Sequence, residues 1–105
     1  MAEAVRWFKK AVAVGDDDAL IQLGVHYYWG KGTRKNPAAA VRCFRKATKA
    51  KNISEGGTDN AFFYLGIVYL EGKGVKVSRR TAKRLFERAN IDDDHPSARN
   101  ALRQL

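Results

Sequence analysis

The stretch LGVHYYWGKGT at residues 23–33 occurs a second time, as LGIVYLEGKGV, at residues 65–75. The two copies are identical at 6 of 11 positions and lie 42 residues apart. Each copy begins as a helix would, with a leucine and a tyrosine four residues apart, and ends in Gly-Lys-Gly, which stops helices. A repeated helix with a repeated stop predicts a chain built from like units.

A second motif alternates with the first. It reads AVRWFKKA at 4–11, AVRCFRKA at 40–47 and AKRLFERA at 82–89, at offsets of 36 and 42 residues. We call helices of the first motif A helices and those of the second motif B helices. Ala98 and Leu102 repeat the spacing of Ala19 and Leu23, which indicates a third, partial A helix. The order B-A-B-A-B-A at this period is typical of a solenoid of helix pairs.

We expect a single helical-repeat domain over residues 1–105. Its units are a half-repeat at 1–15, full repeats at about 16–57 and 58–94, and a half-repeat at 95–105. The longer offset of the middle copy falls in KNISEGGTD (51–59), where Gly56-Gly57 predicts a loop. Neither end shows the polar cap that a terminal repeat needs, so two expectations stand: a fragment of a longer array, or self-association through the terminal helices.

Individual residues predict where the helices begin and how closely they pack. Asn36 followed by Pro37 is a helix start, and Ser78 occupies the equivalent position in the next copy. Gly24 and Gly66 fall in the middle of A helices, where glycine costs about 1 kcal/mol relative to alanine. Their recurrence predicts a close approach of the neighbouring helix at both positions.

Composition limits the classes of site that the chain can carry. Cys43 is the single cysteine, which excludes an internal disulfide and a multi-cysteine zinc site. No apolar run of about 18 residues or more is present, so no membrane span is expected. The N-terminus does not read as a secretory signal. These features predict a cytoplasmic protein, or a periplasmic one if an export signal has been removed. A net charge of +9 makes anionic partners worth testing.

Two full copies of one combined pattern run along the chain: A-x-x-x-L-G-x-x-Y-x-x-G-x-G, then A-x-x-x-F-x-[KR]-A. The first copy is Ala19, Leu23, Gly24, Tyr27, Gly30, Gly32, Ala40, Phe44, Lys46 and Ala47. The second copy is Ala61, Leu65, Gly66, Tyr69, Gly72, Gly74, Ala82, Phe86, Arg88 and Ala89. This pattern resembles the Sel-one-like repeat family, whose members are related to tetratricopeptide repeat proteins.

The resemblance implies an all-α fold, an α/α solenoid in which about six antiparallel helices form a right-handed superhelix. It also implies a non-catalytic scaffold, often bacterial, that binds a protein or peptide and uses no cofactor. The single cysteine sets the chain apart from secreted members that carry a disulfide in each repeat. Arg103 stands where the last A helix should have its glycine, so that helix is expected to pack differently.

Several residues that could carry chemistry are better explained as structural. Gly30-Lys31-Gly32-Thr33 lacks the spacing of a phosphate-binding loop and follows a helix rather than a strand. His95, in DDDHP, is a weak metal candidate, since acidic residues before a helix more often cap it. Cys43 lies on the apolar edge of a B helix and reads as a small buried hydrophobe. We therefore predict no catalytic, cofactor-binding or metal site.

The concave side is the first candidate surface, because A helices line it in helical-repeat proteins. On a helical wheel, six side chains point away from the packed face: Gln22, His26, Trp29, Tyr64, Val68 and Glu71. We expect a protein or peptide partner here, with Trp29 prominent because aromatic anchors dominate binding hot spots. The competing interpretation is that Trp29 packs against the next repeat.

A basic ridge on the convex side is the alternative surface. Equivalent positions of the B helices carry Arg6, Lys10, Arg42, Lys46, Arg84 and Arg88. Turn residues that would add to the ridge are Lys31, Arg34, Lys35, Lys73, Lys76, Arg79 and Arg80. The ridge is either a solvated face or a site for an acidic partner or nucleic acid. Nucleic acid is the less favoured partner, because the aromatic residues fall on core positions instead of lying among the exposed cations.

Overall fold

Six α-helices make up the described part of the chain in the computed structural model, which covers residues 2–51, 53, 56–92 and 94–105. They are α1 (Ala2–Ala13), α2 (Asp18–Trp29), α3 (Pro37–Thr48), α4 (Gly57–Glu71), α5 (Arg79–Ala89) and α6 (Pro96–Arg103). α1, α3 and α5 are the B helices, and α2, α4 and α6 are the A helices. Each helix packs on the next along the chain, and α2 also contacts α4. The predicted all-α repeat fold is confirmed.

The core is built around one phenylalanine from each of two B helices. Phe44 of α3 and Phe86 of α5 are fully buried. Each ring lies against a glycine of the preceding A helix. A Cβ atom on Gly24 would lie 2.5 Å from the Phe44 ring, and one on Gly66 would lie 2.5 Å from the Phe86 ring. The predicted close approach is confirmed at both positions.

The predicted starts of the B helices are also confirmed. The Asn36 side chain accepts a hydrogen bond from the backbone N–H of Ala39 (3.1 Å), and Pro37 is the first residue of α3. Ser78 Oγ accepts from the N–H of Thr81 (3.1 Å) at the start of α5. Each cap satisfies a backbone donor that has no partner within its own helix.

The two turns from A to B helices have the same construction. The glycine that ends each A helix is left-handed, with φ of 71° after α2 and 72° after α4. The N–H of Asn36 donates to the carbonyl of Tyr27 (2.8 Å), and the equivalent N–H of Ser78 donates to the carbonyl of Tyr69 (3.0 Å). These bonds close both turns and fix the direction in which each B helix leaves.

The loop predicted at 51–59 is shorter than the sequence suggested. Helix α4 begins at Gly57, so residues 57–59 form its first turn, and Gly56 just before it is left-handed (φ 83°). Gly57 is buried, and a Cβ atom there would lie 2.6 Å from the Ile53 side chain. Close packing therefore explains Gly57 better than a loop does. Residues 52, 54 and 55 of the predicted loop lie outside the described residues.

Candidate protein-binding surface on the A helices

Contacts between ring side chains connect all three A helices. The Trp29 ring at the end of α2 lies 6.0 Å from the Tyr64 ring of α4, centroid to centroid. Tyr64 lies 5.4 Å from Phe63, which lies 5.1 Å from the imidazole of His95 at the N-cap of α6. We call these four residues the aromatic row. Trp29 is 41% exposed, and the other three are half-buried.

Trp29 has a feature of each interpretation, since it packs on the next repeat and is also accessible to a partner. Its ring packs edge-on against Tyr28 of its own helix and Tyr64 of the next A helix, yet much of its surface is accessible. Tyr64 is held in turn by stacking on the buried Phe44, with centroids 5.4 Å apart and ring planes 12° apart. The row is thus an ordered and largely apolar surface, since Tyr64 and Phe63 pack on the buried rings of Phe44 and Phe86.

Two further candidates from the sequence lie on α2 beside this row. Gln22 is exposed and lines a cleft between α1 and α2. His26 is half-buried, and its Nδ1 donates to the backbone carbonyl of Gln22 (2.8 Å). The imidazole also lies 5.1 Å from the Phe8 ring. His26 is positioned by these contacts, and both residues remain accessible to a partner.

The prediction that Val68 contributes to the surface is wrong. Val68 is fully buried and packs in the core with Tyr28, Phe44 and Leu65. Helix α4 contacts α2, α3 and α5, so the buried arc of α4 includes Val68, which the helical wheel placed outside it. His26, the equivalent residue of α2, is only half-buried.

Glu71 is exposed, but a buried residue holds its carboxylate. The Tyr28 hydroxyl donates to Glu71 Oε1, which ties the end of α4 to α2. Tyr28 is 2% exposed, and burial together with the hydrogen bond to Glu71 raises the pKa of its phenol. The sequence analysis did not predict that Tyr28 is buried. The large apolar residue Leu70 at the equivalent position of the other copy could have indicated it.

A crevice between α4 and α6 adjoins the aromatic row. It has a volume of about 440 Å³ and an apolar lining that includes Phe63, Ile67 and Leu70 on one side, and Ala101 and Leu105 on the other. Ala101 occupies the position in α6 that Tyr64 occupies in α4, so a small side chain stands where a ring fills the preceding repeat. The sequence analysis missed this crevice because it depends on a contact between repeats.

All six residues of the basic ridge are exposed. Two of them contact rings or carboxylates of their own chain. Arg88 lies 4.8 Å from the Phe62 ring and 3.7 Å from the Asp59 carboxylate, and Lys10 lies 5.5 Å from the Trp7 ring. These contacts are typical of a solvated face whose long side chains lie along the surface.

Cys43 and His95, the residues that could carry chemistry, are held by structural contacts. Cys43 is buried, as predicted, and burial raises the pKa of its thiol, although Lys46 and Arg42 act in the opposite direction. His95 Nδ1 accepts from the N–H of Ala98 (3.1 Å), and its Nε2 lies 2.8 Å from Asn60 Oδ1. The cap of α6 is therefore the histidine itself, whereas we expected the preceding aspartates. Within the described ranges, no three His, Cys, Asp or Glu side chains are grouped to hold a metal ion.

Trp7 is the most exposed large ring, with 68% of its surface accessible. It borders a cleft of about 350 Å³ between α1 and α2, which Phe8 also lines. This exposure agrees with the expectation of self-association, which stays a prediction. Across the described part of the chain, no helix is long and apolar enough to cross a membrane.

Comparison with known proteins identifies the repeat. The family model described as the Sel1 repeat matches residues 1–16, 17–52 and 61–90, which is well over half of the chain. An uncharacterized Sel1-like repeat-containing protein of Schizosaccharomyces pombe is 38% identical over 53 residues, which is 50% of this chain and 8% of that protein. The chain thus spans less than a tenth of this relative.

A solved structure shows the same architecture. The crystal structure of a Sel1 repeat protein from Oxalobacter formigenes superposes with a TM-score of 0.71 and 28% sequence identity. The superposition covers 91% of this chain and 37% of that one. Sequence pattern, helix order and superposition agree, and the chain belongs to the Sel1 repeat family.

Proposed function

We propose that the chain is a non-catalytic interaction module that binds a protein or peptide through the surface of its A helices. The observation that carries this proposal is the aromatic row, which runs across α2, α4 and the start of α6 with Trp29 exposed. Sel1 repeats generally mediate protein–protein interactions, which supports the same role here.

The surface has the parts that a binding hot spot uses. Tryptophan and tyrosine are enriched among the few residues that dominate interface energies. Trp29 offers an accessible ring, and Tyr64 is already ordered by its stacking on Phe44, so little side-chain entropy is lost on binding. The crevice beside Phe63 can accept a large apolar side chain of the partner. Glu71 supplies a polar neighbour at the end of α4.

Catalysis is not part of the proposal. The groups that could carry chemistry, Cys43 and His95, are respectively buried in the core and engaged in capping a helix. The basic ridge is the second candidate surface, for an acidic partner or nucleic acid. It is the weaker candidate, because Arg88 and Lys10 contact side chains of their own molecule.

The chain offers a matched pair of tryptophans for the test. A partner would be captured with the wild-type chain, purified, and titrated against Trp29→Ala and Trp7→Ala, each confirmed to be folded by circular dichroism. We expect Trp29→Ala to weaken binding by about 2 kcal/mol or more, as for hot-spot residues. Trp7→Ala should bind almost as the wild type does. If both variants bind with wild-type affinity, the A-helix surface is not the site.

A further inference from the structure

The two A-to-B turns and the first two residues of α5 place a set of cations along one edge of the molecule, which we call the basic edge. Arg79 and Arg80, predicted as turn residues, thus begin α5. Its members are all exposed: Lys31, Arg34, Lys35, Lys73, Lys76, Arg79 and Arg80. Neither residues 30–36 nor residues 72–80 contain an aspartate or glutamate.

The aspartates of the chain gather at the opposite edge of the molecule. Because successive helices are antiparallel, the B-to-A connections lie at the opposite end of the helices from the A-to-B turns. These connections and the helix starts that follow them carry Asp16, Asp17, Asp18, Asp59, Asp92 and Asp94. The connection from α3 to α4 also carries Lys49 and Lys51, so that edge is mixed in charge, whereas the two A-to-B turns carry cations and no carboxylate side chain.

The turns present these cations from equivalent, fixed backbones. Lys31 and Lys73 occupy the same position in the two turns, as do Arg34 and Lys76. Both glycines of each turn are left-handed, with φ of 71° and 67° in the first turn and 72° and 75° in the second. The pair of cations in one repeat is thus reproduced in the next, which preorganises the edge for a ligand with charges along its length.

Packing between the repeats joins the two turns into one surface. A Cβ atom on Gly74 would lie 3.0 Å from the backbone carbonyl carbon of Pro37, so the second turn rests on the start of α3. Lys73 Nζ lies 5.7 Å from the Tyr28 ring at the end of α2. The cations of the second turn therefore follow directly on those of the first.

No aspartate or glutamate within the two turns neutralises the cations of the basic edge. Among the described residues, none of its seven cations forms an ion pair; the pair present there is that of Arg88 with Asp59, at the opposite edge. Glu71, just before the second turn, is bound by the Tyr28 hydroxyl. A cluster of exposed cations attracts anionic partners and raises their rate of association.

We propose that the basic edge binds an acidic segment of a partner protein, whose carboxylates meet the paired cations of successive turns. Single-stranded nucleic acid uses several exposed rings on which successive bases stack, whereas one exposed ring, Trp29, lies beside the described part of this edge. Tyr28 is buried, and the Tyr69 hydroxyl accepts a hydrogen bond from Arg45 (2.6 Å). The edge adjoins the aromatic row at Trp29, the last residue of α2, but it rests on its cations alone and is tested independently of the proposed A-helix site.

The test uses a fluorescein-labelled polyglutamate peptide, titrated with the full chain at low ionic strength. The edge variant carries Lys31→Gln, Arg34→Gln, Lys73→Gln and Lys76→Gln. The control variant removes the same net charge from the ridge, through Arg6→Gln, Arg42→Gln, Lys46→Gln and Arg84→Gln. We expect the edge variant to bind about tenfold more weakly than the wild type, while the control changes about twofold or less.

Three results would overturn the proposal: equal losses in both variants, no binding of the peptide by the wild type, or tighter binding of duplex DNA of matched charge that is lost in the edge variant. The last result would make the edge a nucleic-acid site. Because Lys73 contacts Tyr28, a second variant with only Arg34→Gln and Lys76→Gln guards against misfolding. It should retain the wild-type melting temperature and still bind the peptide more weakly.

Discussion

At Gly24 the A helix and the Phe44 ring lie too close together for any side chain. The Phe44 ring cannot withdraw, because it is fully buried and stacked against Tyr64. For Gly24→Ala, the overpacking cost of about 1–3 kcal/mol should exceed the gain of about 1 kcal/mol in helix propensity. We therefore expect the free energy of unfolding in urea to fall by about 1 kcal/mol, and by no more than about 2 kcal/mol.

A double-mutant cycle identifies the cause of this loss. Shortening the ring by Phe44→Leu should make room for the new methyl group, so the double variant should be more stable than the sum of the two single changes predicts. An increase in stability for Gly24→Ala alone would show that the glycine has no packing role.

Tyr28 makes stability depend on pH. Burial and the hydrogen bond to Glu71 raise the pKa of the phenol in the folded chain above the ordinary value of about 10. Above pH of about 10, the unfolded chain loses this proton while the folded chain keeps it, so the stability falls as pH rises. We expect Tyr28→Phe to remove up to about 1.4 kcal/mol per pH unit of that fall. Chemical unfolding at pH values on either side of 10 would measure it, and identical slopes in both proteins would contradict it.

At the residue scale, the sequence predicted positions that both copies share, and missed those that one copy alone determines. Gly24 and Gly66 repeat, and their close packing was predictable. Val68 was placed wrongly because it packs in the core with Tyr28 and Phe44 of other helices, and a helical wheel does not show such contacts. Phe63 connects Tyr64 to His95 at the N-cap of α6, and no helical wheel shows that contact between helices.

At the element scale, helix starts that depend on local hydrogen bonds were predictable, and those that depend on contacts with other segments were not. Asn36 and Ser78 were predictable as caps because each hydrogen-bonds its own backbone three residues on. The start of α4 at Gly57 was not, since it depends on contact with Ile53. The His95 cap was missed because histidine is an uncommon N-cap, and here Asn60 of α4 also contacts its ring.

Helix α6 is expected to depend on its histidine cap. His95→Ala removes the acceptor for the Ala98 N–H and should destabilise the chain by about 1 kcal/mol. His95→Asn keeps an acceptor at this position and should lose much less. Thermal unfolding followed by circular dichroism compares the two, and equal losses would mean that capping is not the role of His95.

At the scale of the whole molecule, the exposed face of α1 predicts self-association. Trp7 and the adjoining cleft present apolar surface that a second copy can cover. Sedimentation velocity over a range of concentrations should show a mass that rises with concentration for the wild type and less so for Trp7→Glu. A wild-type chain that stays monomeric at high concentration would contradict this expectation.

The proposed surfaces divide the molecule by function. The A helices present ordered rings, and the A-to-B turns present cations without an ion-pair partner among the described residues. The buried rings of Phe44 and Phe86 hold together the helices that carry both surfaces. A partner with an apolar anchor and an acidic flank could engage both surfaces, and linking the two contacts would strengthen binding.

The most direct test of the proposed A-helix surface uses the two tryptophans of the chain. In a nitrogen-15 spectrum they give two indole N–H signals, one from Trp29 in the aromatic row and one from Trp7 on α1. On titration with a captured partner, Trp29 should shift in proportion to the bound fraction while Trp7 keeps its position. A shift of the Trp7 signal with an unchanged Trp29 signal would contradict binding through the A-helix surface.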